Sequence, residues 1–583
     1  MDIFSIIALI GGLTFFLYGM SVLSTGLEKL AGGKLERALK KMTSNPWKSL
    51  FLGAGITIAI QSSSAMTVML VGLVNSGIMQ LGQTIGVIMG SNIGTTLTAW
   101  ILSLSGIQSE NIWMNLLKPI NFSPIIALIG ILMMMVSKKK HRRDIGTIFV
   151  GFAILMYGMT MMSDAVSPLA DMPEFASLLT AFKNPLLGVL VGAAFTGIIQ
   201  SSAASVSVLQ ALSMTGSITY GMAIPIIMGQ NIGTCVTALL SSVGANKNGK
   251  RVAVVHIAFN LIGTITFLVI LLVADAIFHF TLADAAINPV GIAAAHSIFN
   301  IATTALLLPF GKMLEKIAYT MIKGEADTKI PALMDERLFA TPSVAMSECG
   351  SLTIRMAATA KDAVITAMGL VHAYDQKNAD DVMAAEDSLD LYEDELGSYL
   401  VKLSGRDLSE DDSRKSSELL RNIGDFERIG DHAVNILESA QEMQDKGVNF
   451  SPDGQREVAV LTSAITEIIT MMVSAFSHAD VELARKIEPL EQVVDDLVFE
   501  IRKNHIHRLQ TGICTIELGF ILSDLLTNLE RISDHCSNIA AAIIETERNN
   551  YSVHDYVNQI KFSGDALYES EFTRYKEKYD ILP

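Results

Sequence analysis

The sequence has little cysteine, no overall basic excess, and two long tracts without any charge. Cys235, Cys349, Cys514 and Cys536 are scattered over 583 residues with no CxxC or Cys/His ligand spacing. That excludes a disulfide framework and a zinc module. With 43 Lys+Arg against 59 Asp+Glu, the net charge is −16, which makes nucleic acid an unsuitable partner. No Walker A loop, nucleophile elbow or HExxH occurs, so the chain carries no enzyme signature. The N-terminal MDIFSIIALIGGLTFFLYGM lacks a basic n-region, so it reads as a first membrane span rather than a secretory signal.

What is present divides the chain in two. Residues 1–310 hold 16 basic and 10 acidic residues; the remainder holds 27 and 49. Such a split points to two parts in different solvents. Apolar stretches long enough to span a bilayer fall near 4–25, 84–105, 120–137, 145–165, 221–243, 252–274 and 289–310. Two more, near 49–75 and 186–212, carry a polar cluster at their centres. From about 311 the sequence turns amphipathic and charged, Pro331 and Pro342 mark a linker over 311–345, and helical patterns run over 346–545. The tail 546–583 has no clear reading.

The apolar half repeats itself at an offset of 139. Tyr18-Gly19-Met20 falls on Tyr157-Gly158-Met159, and Asn45-Pro46 on Asn184-Pro185. Gln61-Ser62-Ser63 falls on Gln200-Ser201-Ser202, and Asn92-Ile93-Gly94-Thr95 on Asn231-Ile232-Gly233-Thr234. The repeats cover about 1–105 and 145–243. Paired repeats of this kind build many secondary transporters.

Positive loops decide the expected topology. The basic loops are KKKHRR at 138–143, NKNGKR at 246–251, and 26–48 with Lys29, Lys34, Arg37, Lys40, Lys41 and Lys48. If 49–75 and 186–212 both cross, two of these loops lie outside, against the positive-inside rule. If both turn back within the membrane, all three lie inside. The expectation is therefore an all-α, polytopic protein of the inner (cytoplasmic) membrane. Its two repeats are inverted, each contains a re-entrant helical hairpin, the N-terminus is outside, and a soluble C-terminal helical bundle is cytoplasmic.

No Asp, Glu, Lys or Arg occurs between Lys48 and Glu110 or between Lys183 and Lys247. These tracts offer hydroxyls, amides and glycine instead: QSSSA at 61–65 with GSNIGTT at 90–96, and QSSAAS at 200–205 with GQNIGT at 229–234. Irregular backbone at membrane depth is tolerated where it lines a cavity. Half-helix N-termini suit an anion, and carbonyl, amide and hydroxyl oxygens suit Na⁺. The alternative is that the small residues only let helices pack closely; two Gln-Ser-Ser clusters, each followed by Asn-Ile-Gly-Thr, favour a site. His256-Ile-Ala-Phe-Asn260 and His296-Ser-Ile-Phe-Asn300 share an HxxFN spacing, read here as interhelical hydrogen bonding rather than a cation or proton site.

These elements resemble the type-II sodium/phosphate cotransporter family over about residues 1–310. The resemblance implies a phosphate and sodium site at Gln61, Ser62, Ser63, Ser64, Gln200, Ser201 and Ser202, with Asn92, Thr95, Asn231 and Thr234 as secondary candidates. Ala203 departs from the QSSS pattern, so one hydroxyl is missing in the second copy.

The acidic half has its own repeat: DFERIGDHAVNI at 425–436 matches NLERISDHCSNI at 528–539, and Glu386…Asp390 and Glu491…Asp495 share an ExxxD spacing. Carboxylates at i and i+4 lie on one helix face and repel unless something intervenes. Facing pairs make multi-carboxylate metal sites; a solvated face laced with salt bridges to Arg428 and Arg531 is the alternative. Residues 346–545 resemble the PhoU family of phosphate-signalling bundles. That implies a divalent metal (Fe, Zn or Mn) at Glu386, Asp390, Glu427, Asp431, Glu491, Asp495, Glu530 and Asp534. Expected partners are phosphate, sodium, the lipid bilayer and phosphate-signalling proteins through the tail; a homodimer is compatible with the chain. The expected function is sodium-coupled phosphate transport by alternating access under a regulatory tail. The alternatives are transport of another oxyanion, or a membrane-anchored phosphate sensor without transport.

Overall fold

The computed structural model describes residues 3–31, 45–106, 119–137, 139–168, 184–278, 281–324, 334–406, 408–548 and 566–581. Lys34, Arg37, Lys40, Lys41, Lys138 and Pro331 lie outside them. Among the described residues there is no strand, only an isolated bridge between Thr219 and Ala286. The chain divides into two compact units, Met1–Ala345 and Met346–Pro583.

The first unit is built from α1 (Ile3–Ala31), α2 (Pro46–Ile60), α3 (Ser63–Asn75), α4 (Leu81–Ser103), α5 (Pro119–Val136) and α6 (Lys140–Val166). It continues with α7 (Pro185–Ile199), α8 (Ser202–Ser213), α9 (Tyr220–Gly233), α10 (Cys235–Ser241), α11 (Lys247–Phe278), α12 (Pro289–Leu307) and α13 (Gly311–Met321). The second unit holds α14 (Pro342–His372, whose first turn precedes the division), α15 (Gln376–Ser404), α16 (Glu410–Lys446) and α17 (Pro452–His478). After these come α18 (Val481–Ala484), α19 (Ile487–Gln510), α20 (Ile516–Arg548) and α21 (Ala566–Lys578).

Among the described residues, seven helical spans are long and apolar enough to cross a membrane, six of them in the first unit. Phe4, Ile7, Ile10, Met135, Ile198, Ile277 and many other large apolar residues of that unit are exposed, a surface that suits lipid and not water. The seventh span, α17, is different. Leu461, Ile465, Ile468, Ile469 and Met472 are buried within the second unit, so its apolar face forms the core of a bundle. The expected span at 120–137 is α5, whose apolar part Asn121–Val136 is shorter than the others.

Each Gln-Ser-Ser cluster interrupts a pair of short helices. Asn45 caps α2 by accepting from Trp47 and Lys48 N–H, and Asn184 caps α7 in the same way, each followed by Pro at the first helical position. Both helices stop at a glutamine in left-handed backbone, Gln61 (φ 52°) and Gln200 (φ 58°). Ser62 and Ser201 then cap α3 and α8 by accepting from Ala65 and Ala204 N–H.

The direction of travel follows from glycine contacts. A Cβ on Gly86 would lie 2.9 Å from Pro46 O, one on Gly90 1.9 Å from Leu50 O, and one on Gly94 2.7 Å from Ala54 O. So α2 and α4 run parallel at backbone contact. Five residues separate α3 from α4 and reach at most about 17 Å, whereas Thr98, beside Gln61, stands about 25 Å along α4 from Leu81. Helix α3 must therefore carry the chain back, and α2–α3 is a helical hairpin. The second copy repeats the contacts: Gly229 against Val189 O at 2.0 Å and Gly233 against Ala193 O at 2.6 Å.

Helices α1 and α6, equivalent under the 139-residue shift, cross antiparallel. A Cβ on Gly12 would meet Gly158 O at 3.0 Å, and one on Gly19 would meet Gly151 O at 2.8 Å. The shift converts one pair into the other, as a twofold axis does.

The segment read as a linker is helical over Gly311–Met321 and turns in a 3-10 helix over Glu336–Ala340. The tail without a reading contains α21, whose Tyr575 is fully buried.

Candidate functional site

The two hairpin tips meet. A cavity of about 230 Å³ is lined by Gln61, Ser62, Ser63 and Ser64 of the first and by Gln200, Ser201, Ser202 and Ala203 of the second, with Thr95 from α4. Residues separated by 139 positions thus face one space. The remaining wall is Leu17, Met20, Ser21 and Ser24 of α1, which the sequence reading missed. The signal was faint: two serines three apart in an otherwise apolar helix. Among the described residues no charged side chain lines the cavity.

The tips are built to present donors. The first amides of a helix have no intrahelical acceptor, which at α3 and α8 concerns Ser63, Ser64, Ser202 and Ala203. The competing carbonyls at the end of α2 are engaged. Gln61 Nε2 donates to Ile58 O at 2.7 Å, and Ser24 Oγ donates to Ile60 O. Gln61 Oε1 accepts from Thr98 Oγ1 at 2.9 Å, bracing the tip on α4. Two helix N-termini, their dipoles and a ring of hydroxyls therefore surround a space that can accept an oxyanion.

Asn92, Asn231 and Thr234 are buried but do not line this cavity. Asn231 Nδ2 donates to Ile227 O and Thr234 Oγ1 to Asn231 O, both within their own helical run. Of the HxxFN asparagines, Asn260 Nδ2 donates to His256 O at 3.1 Å and also reaches Cys235 Sγ of α10 at 3.4 Å, an interhelical contact, whereas Asn300 Nδ2 donates to His296 O at 2.9 Å within its own helix.

In the second unit, Glu386, Asp390 and Asp431 each offer a carboxylate oxygen within 4.8 Å of the other two, and so do Glu491, Asp495 and Asp534. Burial and the neighbouring Asp431, Glu393 and Asp390 push Glu427 up to about 7. Burial and Asp390, Asp387 and Asp431 raise Glu386. This crowding of like charge fits a bound cation. Glu530 stands apart and pairs with Arg502 at 3.2 Å. The two halves also bond across: His535 Nδ1 lies 2.9 Å from Asp425 Oδ1, and His432 Nδ1 lies 2.8 Å from Asn528 Oδ1.

Comparison with known proteins gives consistent matches. The Na⁺/Pi-cotransporter family matches residues 15–164 and 154–291, and the PhoU domain matches 353–440 and 460–543. YjbB of Escherichia coli K12, provisionally named an inorganic phosphate export protein, is 22% identical over 551 residues, covering 93% of this chain and 98% of its own. Rat sodium-dependent phosphate transport protein 2A is 39% identical over 99 residues, 16% of this chain and 15% of its own. The crystal structure of PhoU from Pseudomonas aeruginosa aligns at 24% identity and a TM-score of 0.30, covering 35% of this chain and 94% of that one.

Proposed function

The membrane unit of this chain belongs to the Na⁺/Pi-cotransporter family and the second unit carries the PhoU domain; from that premise we propose that it couples the movement of inorganic phosphate to sodium through the cavity between the hairpin tips. The carrying observation is the convergence of the two Gln-Ser-Ser tips on one space, where no charged side chain lies among the described lining residues. Phosphate takes the helix N-terminal amides and the serine hydroxyls, and sodium ions at neighbouring amide and hydroxyl oxygens offset its charge. The missing hydroxyl at Ala203 makes the site asymmetric.

The hairpins are re-entrant in this reading. At 15 and 13 residues, α2 and α3 measure about 22 and 20 Å, short of the roughly 30 Å hydrocarbon core. The repeats are inverted, supported by the antiparallel α1–α6 pair and its exchanging glycine contacts. Alternating access follows from that symmetry. The N-terminus lies outside and the second unit in the cytoplasm, on the basic loops. Net direction depends on the gradients: one relative is named for export and another for sodium-dependent transport.

The PhoU domain binds divalent metal in this reading. Glu386, Asp390 and Asp431 would form one cluster and Glu491, Asp495 and Asp534 the other, with Glu427 beside the first. The all-oxygen donor set suits Mn or Fe better than Zn. Reconstituted vesicles loaded with and without a sodium gradient test the transport reading. Uptake of labelled phosphate that needs sodium and resists excess sulfate supports it. Sulfate competing equally makes the protein a general oxyanion carrier, and no uptake in either direction makes it a sensor.

A further inference from the structure

The two hairpins are held differently. On the second, Gln210 of α8 is fully buried, and its Nε2 donates to Ala99 O and Pro289 O, both at 3.0 Å. The equivalent residue on the first is Val71, which can do neither. The first hairpin is held at its base instead. Asn75, the last residue of α3, donates through Nδ2 to Asp335 Oδ2 at 2.6 Å. Its Oδ1 accepts from Asn246 N at 2.7 Å, and its main-chain oxygen from Asn246 Nδ2 at 2.8 Å. Asp335 is buried and pairs with Arg337 at 2.8 Å. Arg337 in turn donates through Nε to Ser241 O at 2.6 Å and through Nη2 to Val243 O at 2.9 Å. Leu338, fully buried, lies over Gly72 of α3, where a Cβ would come within 3.2 Å of it. Position 214, the counterpart of Asn75, is Met.

We propose that Asn75, Asp335 and Arg337 are positioning residues that latch the first hairpin alone, so that its mobility in the transport cycle is set by the chain segment entering the second unit. A buried carboxylate that accepts from Arg337 Nη1, Arg337 N and Asn75 Nδ2 is freed only if its partners are re-solvated with it. The guanidinium's remaining donors tie this pair to the carbonyls that precede α11. Holding by Gln210 is interior; holding by the latch lies in the stretch that leads, through Pro342, into α14. The transport half of this inference rests on the proposed function; the mobility half does not.

The test uses the full chain in lipid nanodiscs and vesicles, with Arg337→Ala, Asp335→Asn and, from the other face of the contact, Gly72→Val. Amide exchange over residues 63–76 should accelerate at least tenfold in Arg337→Ala and Gly72→Val and less in Asp335→Asn, while residues 202–213 keep their wild-type rate. In vesicles the same variants should lose about five- to twentyfold in maximal phosphate flux per folded molecule, with the half-saturating phosphate and sodium concentrations within twofold of wild type. Unchanged exchange at 63–76, or equal acceleration of both hairpins, overturns the latch. Half-saturation rising in step with falling flux also overturns it, because the pocket itself would be damaged. If the wild type moves no phosphate, the proposed function fails, and the exchange asymmetry alone decides for or against the latch.

Discussion

Gln61 and Gln200, like Ala479 at the end of α17, sit in left-handed backbone, where a β-carbon is disfavoured. Glycine would fit that backbone better by about 1 kcal/mol. A glutamine kept there is explained by its side chain. At Gln61 the amide engages Ile58 O and receives Thr98 Oγ1, holding the tip open toward the cavity. Gln61→Gly should therefore fold at least as well as wild type by thermal melting and yet transport poorly, with sodium dependence altered most. A glutamine present only for packing predicts the reverse order. The clusters themselves were legible from spacing alone, because Gln-Ser-Ser recurs at a fixed offset in an apolar tract, and close packing of small residues does not call for the glutamine. Ser21 and Ser24 were not, since a serine pair in an apolar helix is as often a packing choice, and only the folded wall puts them beside the tips.

Between elements, the decisive contacts are backbone to backbone. Leu50 O sits where a Cβ of Gly90 would be, and Val189 O where one of Gly229 would be. Gly90→Ala and Gly229→Ala should each push a hairpin off its supporting helix. Overpacking at such contacts costs about 1–3 kcal/mol or more, so both variants should reach the membrane in reduced amount and melt earlier. A conservative change nearby, Ala54→Gly, should be mild by comparison; wild-type melting of Gly90→Ala would refute the packing account. The parallel pairing of α2 with α4 could not be read from the sequence, because small residues permit close approach without stating its direction. The latch at Asp335 and Arg337 was hidden for another reason: an Asp and an Arg two residues apart look solvated until the folded chain shows the carboxylate buried.

Over the whole molecule, the division in charge anticipated the division in structure, because lipid and water select opposite compositions. Hydropathy alone would take α17 for a membrane span; its place in the amphipathic, charged stretch 346–545 assigns it to the bundle, where its apolar face is buried. Metal should distinguish the halves of the second unit. Asp431→Asn with Asp534→Asn should remove tightly held Mn or Fe from the purified full chain, measured by elemental analysis after reconstitution with the metal. Metal-free wild-type protein would contradict the assignment.

The central claim is that the two tips make one phosphate site, and apparent phosphate affinity tests it most directly. Each hydrogen bond lost to a buried charged ligand costs about 1.5–3 kcal/mol, or roughly ten- to a hundredfold in affinity. Ser63→Ala and Ser202→Ala, one in each tip, change packing volume almost not at all. Sodium-driven uptake into vesicles should therefore show half-saturating phosphate raised by about that factor in both variants, at normal abundance in the membrane. Unchanged half-saturation in both, for phosphate and for sodium, would place the site elsewhere.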